Sequence, residues 1–241
     1  MIKNFTLIIP LLNEEEIIEE VLKELFSVIE TLKLDYEVII VDDGSSDNTL
    51  SRIKEITKEH NLKINLIRNQ SNKGQSYSIN IGIKASKFKN IITLDGDAQN
   101  DPNDIKLLLD LYDPTRNIHF VSGIRSVRKD SMVKKLSSYL ANKIRKNYLK
   151  DNCDDTGCAL KLFNKEIYEK LIYFDGIHRF LPALFLSMNS KNLYAEVNHR
   201  NRTRGKSKYG ISNRLIPGLI DMYKVKKMMN QNLKQINNVK R

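Results

Sequence analysis

The stretch IITLDGDAQNDP, residues 91–102, runs from an apolar segment into an acidic turn and then into the start of a helix. Its first four residues are typical of a buried strand, and Pro102 behind Asp101 is typical of a first helical turn. Ligands of parallel α/β sheets bind at the carboxyl ends of the strands, which is where this acidic turn would lie. The stretch therefore predicts both the fold class and the position of a site.

The first half of the chain repeats this alternation of strands and helices. Buried strands are predicted at residues 5–12, 37–41, 64–67, 91–94 and 119–122. Amphipathic helices are predicted at residues 15–32, 47–59, 72–85 and 101–111, the second with Asp47 as its N-cap. We expect an α/β fold with a mostly parallel central sheet flanked by helices. Residues 1–215 form one domain in this prediction, followed by a basic amphipathic helix and tail at 216–241.

The second half is less regular. Strands are predicted at residues 158–163 and 193–197, and helices at 133–148, 165–171, 179–188 and from 211 onward. Ile144 and Tyr148 belong to the apolar stripe of the helix at 133–148, while Lys143, Arg145 and Lys146 fall on its other faces. With no signal peptide and no run of the ~18 apolar residues that a membrane span needs, the sequence predicts a cytoplasmic protein.

Positive charge is concentrated in two stretches of this 241-residue chain of net charge +11. Residues 123–150 hold nine Lys or Arg and one acid, and residues 200–241 hold twelve and one. This pattern indicates an anionic partner (phosphate groups, a lipid surface or nucleic acid) or simply a solvated basic surface. We expect no nucleic-acid binding, because the sequence lacks a recognised nucleic-acid-reading motif and has few aromatic residues near the basic stretches.

Three polar clusters follow predicted strands, at residues 10–14, 42–47 and 95–99. Because the carboxyl ends of parallel strands meet at one edge of a sheet, we expect the clusters to converge on a single cleft. Asp95 and Asp97 repel each other unless a cation joins them, and their oxygens suit Mg²⁺ or Mn²⁺, with Gln99 as a further oxygen ligand. Gly96 would leave room for a phosphate or sugar. The alternative is a solvated acidic turn.

The other two clusters have both a ligand-binding and a purely structural interpretation. Asp42 or Asp43 could accept hydrogen bonds from a base or a ribose, with Pro10 and Glu14 bordering the same pocket. Alternatively, these residues form a turn and helix caps. A third element, the loop at residues 199–210, has two glycines and five Lys or Arg residues, among them Arg202, Arg204 and Lys208, and would bind phosphate.

The order and spacing of these motifs resemble the family 2 glycosyltransferases with a GT-A fold. The similarity is carried by Pro10-x-x-Asn13-Glu14, Val41-Asp42-Asp43-Gly44-Ser45-x-Asp47-x-Thr49, Asn72-x-Gly74 and Asp95-Gly96-Asp97-x-Gln99. The second half resembles the dolichol-phosphate mannosyltransferase-like branch. That resemblance is carried by Gly123-Ile124-Arg125, Asp155-Thr156-Gly157-Cys158, His178-Arg179-Phe180-Leu181-Pro182-Ala183 and Arg202-x-Arg204-Gly205-x-Ser207-Lys208-Tyr209-Gly210. Leu12 stands where family members often have Tyr, so ring stacking there is not expected.

This resemblance implies transfer of a hexose from a GDP- or UDP-sugar to a polyisoprenyl phosphate, with inversion at the anomeric carbon. It also implies roles for individual residues. The nucleoside would be held by Pro10, Glu14, Val41 and Asp42 or Asp43, the metal by Asp95, Asp97 and Gln99, and the phosphates by Arg125, Arg202 and Lys208.

Several alternatives follow from the same residues. If the acceptor is a sugar or lipid hydroxyl, a general base is needed, and Asp155 is the candidate. A non-catalytic partner subunit on the same fold is a further alternative. The basic stretches at 133–148 and in the C-terminal helix favour either peripheral contact with the inner, anionic leaflet of the cytoplasmic membrane or ordinary packing with a solvated basic face.

Overall fold

A seven-stranded sheet organises the computed structural model, which describes residues 2–125, 142–201 and 215–239. The strands are β1 (Asn4–Leu11), β2 (Asp35–Asp42), β3 (Ile64–Arg68), β4 (Asn90–Thr93), β5 (Ile118–Arg125), β6 (Lys161–Asn164) and β7 (Lys191–Val197). Their order across the sheet is β3-β2-β1-β4-β6-β5-β7. The predicted α/β class is confirmed.

Strand direction decides which chain segments meet at one edge. β1 pairs in parallel with β2 and β4, β2 with β3, and β5 with β7, whereas β6 is antiparallel to both β4 and β5. All strands except β6 therefore end at the same edge, and β6 begins there. The sheet is mostly parallel, as predicted, and its single reversal brings the segment before Lys161 to the strand-end edge.

The helices cover both faces of the sheet. They are α1 (Ile18–Ile29), α2 (Thr49–Glu59), α3 (Gln75–Ala85), α4 (Ile105–Leu111), α5 (residues 142–149), α6 (Lys165–Tyr168), α7 (Leu181–Ser187) and α8 (Leu215–Val239). Short 3₁₀ turns lie at Glu30–Leu32, Pro102–Asp104, Pro114–Arg116 and Ile177–Arg179. Within the described ranges, no helix combines the length and apolarity that a membrane span requires.

Alternation along the strands builds two cores, one on each face. On β1, Phe5, Leu7 and Ile9 pack with apolar residues of α1, α2 and α4, while Ile8 points to the opposite face. That second core contains residues of α3 and α5 to α8. α8 joins it through Val225 and Met229, both buried. A strand buried on both faces explains why the parallel strands read as continuous apolar runs rather than as alternating ones.

Several predicted boundaries move for identifiable reasons. α3 begins at Gln75 rather than at residue 72, because Gly74 has a φ of 92°, outside the helical region. α1 begins at Ile18, since Asn13 has a φ of 51° and residues 14–17 form turns. α2 begins at Thr49 with Asn48 at the capping position, so the prediction of Asp47 as N-cap is wrong by one residue. The Asp47 carboxylate nevertheless accepts the Thr49 backbone N–H at 3.0 Å.

Arg145 departs from the predicted faces of α5. Ile144 and Tyr148 of the predicted apolar stripe are 47% and 43% exposed, whereas Arg145, predicted on another face together with the exposed Lys143, is 5% exposed. Arg145 donates hydrogen bonds to the Asp151 carboxylate and to the Cys153 carbonyl. This buried ion pair takes the inward position that helical periodicity assigned to apolar side chains. The rest of the predicted helix at 133–148 lies outside the described residues.

Candidate active site

Asp95 and Asp97 lie just beyond the end of β4, at the strand-end edge of the sheet. Burial and the neighbouring negative charge of Asp97 raise the pKa of Asp95 to about 7. Glu14 also acts to raise this pKa, while the positive charges of Lys161 and Arg125 act to lower it. The loops after β1 and β4, the end of β5 and the start of β6 therefore meet around one carboxylate, so two of the three predicted clusters, at residues 10–14 and 95–99, converge here.

Two residues that the sequence motifs did not single out support Asp95. Gln75, the first residue of α3, donates a hydrogen bond from Nε2 to Asp95 Oδ1 at 2.7 Å. Lys161, at the start of β6, is buried, and its ammonium donates to the carbonyls of Thr156 and Cys158. The sequence signal for Lys161 was its position inside the otherwise apolar segment at residues 158–163. Gln75 gives no such signal, because its contact with Asp95 joins residues distant in sequence.

Gly96 is required by packing. A Cβ built there would lie 1.9 Å from Leu11 Cδ2, so the side chain at the end of β1 already fills that space. Packing against Leu11 is thus a structural reason for the glycine, and the expectation that Gly96 leaves room for a phosphate or sugar stays a prediction. Its backbone remains part of the acidic turn, and its missing side chain lets β1 and that turn pack closely.

The segment after β7 is fastened beside the acidic turn. Arg200 N–H donates to the Gln99 carbonyl at 2.9 Å, and Gln99 Nε2 donates to the Arg200 carbonyl at 3.4 Å. The Arg200 guanidinium binds Glu24 with two bonds of 2.7 Å and lies 3.0 Å from Asp101. Arg200 is thus neutralised by carboxylates and is structural, whereas Gln99 uses its amide nitrogen and not the oxygen that would bind a metal.

The predicted phosphate-binding residues Arg202, Arg204 and Lys208 lie outside the described residues. Arg200 nevertheless fixes the point at which the chain enters this basic loop. That point is next to Gln99, two residues from Asp97.

Arg125 and Asp155 form a bidentate ion pair at the end of β5. Arg125 Nε donates to Asp155 Oδ2 at 2.6 Å, and Nη2 donates to Oδ1 at 2.7 Å. The two side chains are 14% and 6% exposed. Asp155 also accepts the Gly157 N–H at 3.2 Å. Such a carboxylate is engaged at both oxygens and is better suited to orienting the guanidinium than to removing a proton.

Asp42 and Asp43, at the end of β2, have different surroundings. Asp43 accepts the Asn69 side-chain amide at 2.7 Å and the backbone N–H groups of Lys73 and Gly74 at 2.9 and 2.8 Å. Asp43 therefore organises the loop between β3 and α3. Asp42 Oδ1 accepts the Ser45 N–H at 3.1 Å, whereas the buried Asp42 Oδ2 has no hydrogen bond, and Arg68 Nε lies 3.4 Å from it.

The remaining predicted nucleoside-binding residues border the same strand ends. Pro10 and Val41 are register partners on β1 and β2. Val41 is fully buried in the core, so only its backbone can contact a ligand. Glu14 N–H donates to Thr49 Oγ1 at 2.8 Å, which joins the loop after β1 to the start of α2. The first two clusters therefore form one surface beside the acidic turn.

The metal-ligand set of the described residues is small. They contain no group of three or more His, Cys, Asp or Glu side chains placed to hold a metal ion. Asp95 and Asp97 supply two carboxylates, so a cation at this point would need Gln99 or oxygens of a bound ligand to complete its coordination.

Comparisons with known proteins agree with this geometry. The family model described as Glycosyl transferase family 2 matches residues 6–172. A dodecaprenyl-phosphate galacturonate synthase of Rhizobium johnstonii is 31% identical over 210 residues, which cover 86% of this chain and 62% of the relative. An undecaprenyl-phosphate 4-deoxy-4-formamido-L-arabinose transferase of Edwardsiella ictaluri is 29% identical over 206 residues, covering 86% and 63%. The chain thus spans less than two thirds of these relatives.

Solved structures share the fold at lower identity. A mannosyltransferase of Pyrobaculum calidifontis, in complex with GDP-Man and Mn²⁺, has a TM-score of 0.62 at 21% identity over 84% of this chain and 58% of that one. Glucosyl-3-phosphoglycerate synthase of Mycobacterium tuberculosis, in complex with Mg²⁺ and UDP, has a TM-score of 0.64 at 17% identity over 91% and 79%. The sheet, the order of its motifs and the family model lead to one assignment: this chain belongs to glycosyl transferase family 2.

Proposed function

We propose that the chain transfers a hexose from a nucleoside-diphosphate sugar to a polyisoprenyl phosphate, in a metal-dependent and inverting reaction. The observation that carries the proposal is the meeting of the acidic pair Asp95 and Asp97 with the cations Arg125 and Lys161 at one sheet edge. Such a combination suits a diphosphate. Its negative charge is neutralised both by a metal that the carboxylates hold and by the fixed cationic side chains. The curated relatives are named for dodecaprenyl phosphate and undecaprenyl phosphate, and these names support a polyisoprenyl phosphate as the acceptor.

The acidic pair fits a hard divalent cation. Asp95 is a partly buried carboxylate whose pKa is raised by its surroundings, so its charge lacks compensation that a cation would supply. Asp95 and Asp97, with Gln99 as a neutral oxygen ligand, would hold Mg²⁺ or Mn²⁺. When bound, the metal would neutralise the charge that develops on the leaving diphosphate. Two of the structural neighbours were solved in complex with Mn²⁺ or Mg²⁺, which is consistent with this class of ion.

For the nucleoside, Asp42 is a better candidate than Asp43. Asp43 already accepts three protein hydrogen bonds, whereas Asp42 Oδ2 has none. Arg68 beside that oxygen is half exposed and would have to move for a base or ribose to reach it. Pro10 and Glu14 border the same strand ends and would complete the pocket.

A phosphate acceptor needs positioning rather than a general base. A phosphate monoester loses its second proton at about pH 6, so its oxygen is already anionic near neutrality. The task of the protein is to hold that oxygen in line with the bond to the leaving group and to offset the negative charge. Arg125, oriented by Asp155, and the cations Arg202, Arg204 and Lys208 are the proposed phosphate-binding groups. One in-line displacement inverts the anomeric carbon.

The acceptor is tested by a panel of GDP- and UDP-sugars with Mg²⁺ or Mn²⁺, each assayed with a polyprenyl phosphate and with the matching free polyprenol. We expect sugar transfer to the phosphate and none above background to the alcohol, because Asp155, the candidate base, is held by Arg125 at both carboxylate oxygens. The measurement is chromatographic detection of the glycolipid. Transfer to the alcohol at a comparable rate would overturn the phosphate-acceptor assignment.

Asp97→Asn tests the acidic pair. This nearly isosteric change removes one ligand charge, and we expect transfer to fall roughly a hundredfold or more. Mn²⁺ binding, followed by electron paramagnetic resonance, should weaken in parallel. The matched control is Asp110→Asn, which changes an exposed aspartate that pairs with Lys106 on α4. Full activity in Asp97→Asn would contradict the metal site.

Asp155→Asn separates a positioning role from a basic one. If Asp155 orients Arg125, the rate with a phosphate acceptor should fall roughly tenfold. The factor should be the same at every pH from about 6.5 to about 9. If Asp155 acts as a base, the variant should instead lose a pH-dependent limb of the wild-type profile. Urea unfolding of the variant shows whether the lost ion pair has also destabilised the fold.

A further inference from the structure

An exposed apolar face with a basic border lies on α5 and α8. Its apolar members are Ile144 and Tyr148 of α5 and Leu219, Ile220 and Tyr223 of α8, the last three 56%, 51% and 68% exposed. We call these five residues the α5–α8 face. The two helices are neighbours here, because Lys226 Nζ lies 5.9 Å from the centre of the Tyr148 ring. Large apolar side chains grouped on a surface indicate a contact surface rather than ordinary solvent exposure.

Lysines surround this face. Lys143 of α5 and Lys224 and Lys227 of α8 are exposed, and Lys226 is partly exposed. Within the described parts of the two helices the one acidic residue is Asp221, which is buried and lies near Arg179 and Lys224. Lysine stems lie along apolar surface while their ammonium groups reach anionic headgroups, and tyrosine suits the same boundary.

The face lies near the end of the molecule that holds the acidic turn. Asp221, between Ile220 and Tyr223 in sequence, is 3.5 Å from Arg179. His178, next to Arg179, has its Nδ1 2.5 Å from Oγ of Ser76, and Ser76 follows Gln75, which binds Asp95. At the other end of α8, Asn232 donates to Ser187 at 2.9 Å, close to where β7 starts.

We infer that the α5–α8 face docks the protein on an anionic lipid bilayer with the strand-end edge toward the membrane. The apolar side chains enter the headgroup region and the lysines bind anionic lipid. A second copy of the chain fits poorly, because pairing two such faces would bring lysines against lysines. The docking itself does not depend on the reaction, whereas its purpose, access to a lipid-borne phosphate, rests on the proposed function.

The test is co-sedimentation of the full chain with vesicles of phosphatidylcholine alone or with about one third phosphatidylglycerol. We expect binding to the anionic vesicles that weakens as salt rises. The triple variant Leu219→Ser, Ile220→Ser, Tyr223→Ser should lower the partition coefficient roughly tenfold or more. Leu233→Ser is the matched control, since Leu233 is 44% exposed on the same helix toward its other end, and it should bind as the wild type does.

Three results would overturn the inference. The first is wild-type protein that does not sediment with anionic vesicles, and the second is a triple variant that binds them as well as wild type. The third is light scattering that shows a wild-type dimer and a monomeric triple variant, which would make the face a self-association surface.

Activity measurements keep this inference separate from the proposed function. With a short-chain, water-soluble prenyl phosphate, the triple variant should transfer sugar as the wild type does, and it should lose activity only with the lipid embedded in vesicles. Absence of transfer in every format, with vesicle binding intact, would count against the proposed function and leave the docking surface standing.

Discussion

Loss of hydration at a partly buried strand end, together with repulsion between Asp95 and Asp97, is the constraint around which the described site is arranged. Two carboxylates one residue apart lose hydration there, and the pKa of Asp95 rises as a result. The surrounding structure offsets part of that cost, with a hydrogen bond from Gln75 and the charges of Lys161 and Arg125. The compensation is incomplete, and the missing positive charge is what a divalent cation would bring.

Sheet topology makes this arrangement possible. Because β6 runs against its neighbours, the segment of residues 155–161 reaches the same edge as the ends of β4 and β5. Asp155 can then hold Arg125, and Lys161 can lie close to Asp95. On the opposite flank, Arg200 ties the segment after β7 to α1 and to the turn that contains Gln99. Cations on both flanks of an acidic turn are thus a consequence of one strand reversal and one partly buried ion-pair network.

The sequence predicted what depends on local pattern. Strand and helix alternation, the convergence of the strand-end clusters and the positions of Asp95 and Asp97 followed from short-range periodicity and the parallel-sheet rule. It did not reveal Gln75 as a partner of Asp95 or Arg200 as a partner of Glu24, because these contacts join residues 20 and 176 positions apart. Periodicity also misplaced Arg145 and Ile144, since a buried ion pair with Asp151 competes with apolar burial. The requirement for Gly96 comes from Leu11, which only the packed structure shows.

Calorimetric titration of a nucleoside diphosphate into the protein, with Mn²⁺ and then with EDTA, tests the central claim most directly. If Asp95 and Asp97 bind a cation that also contacts the diphosphate, the two ligands must strengthen each other's binding by the same factor. We expect Mn²⁺ to tighten nucleotide binding by about tenfold or more, and the nucleotide to tighten Mn²⁺ binding equally. Equal nucleotide affinity with and without the metal would contradict the account of the acidic pair.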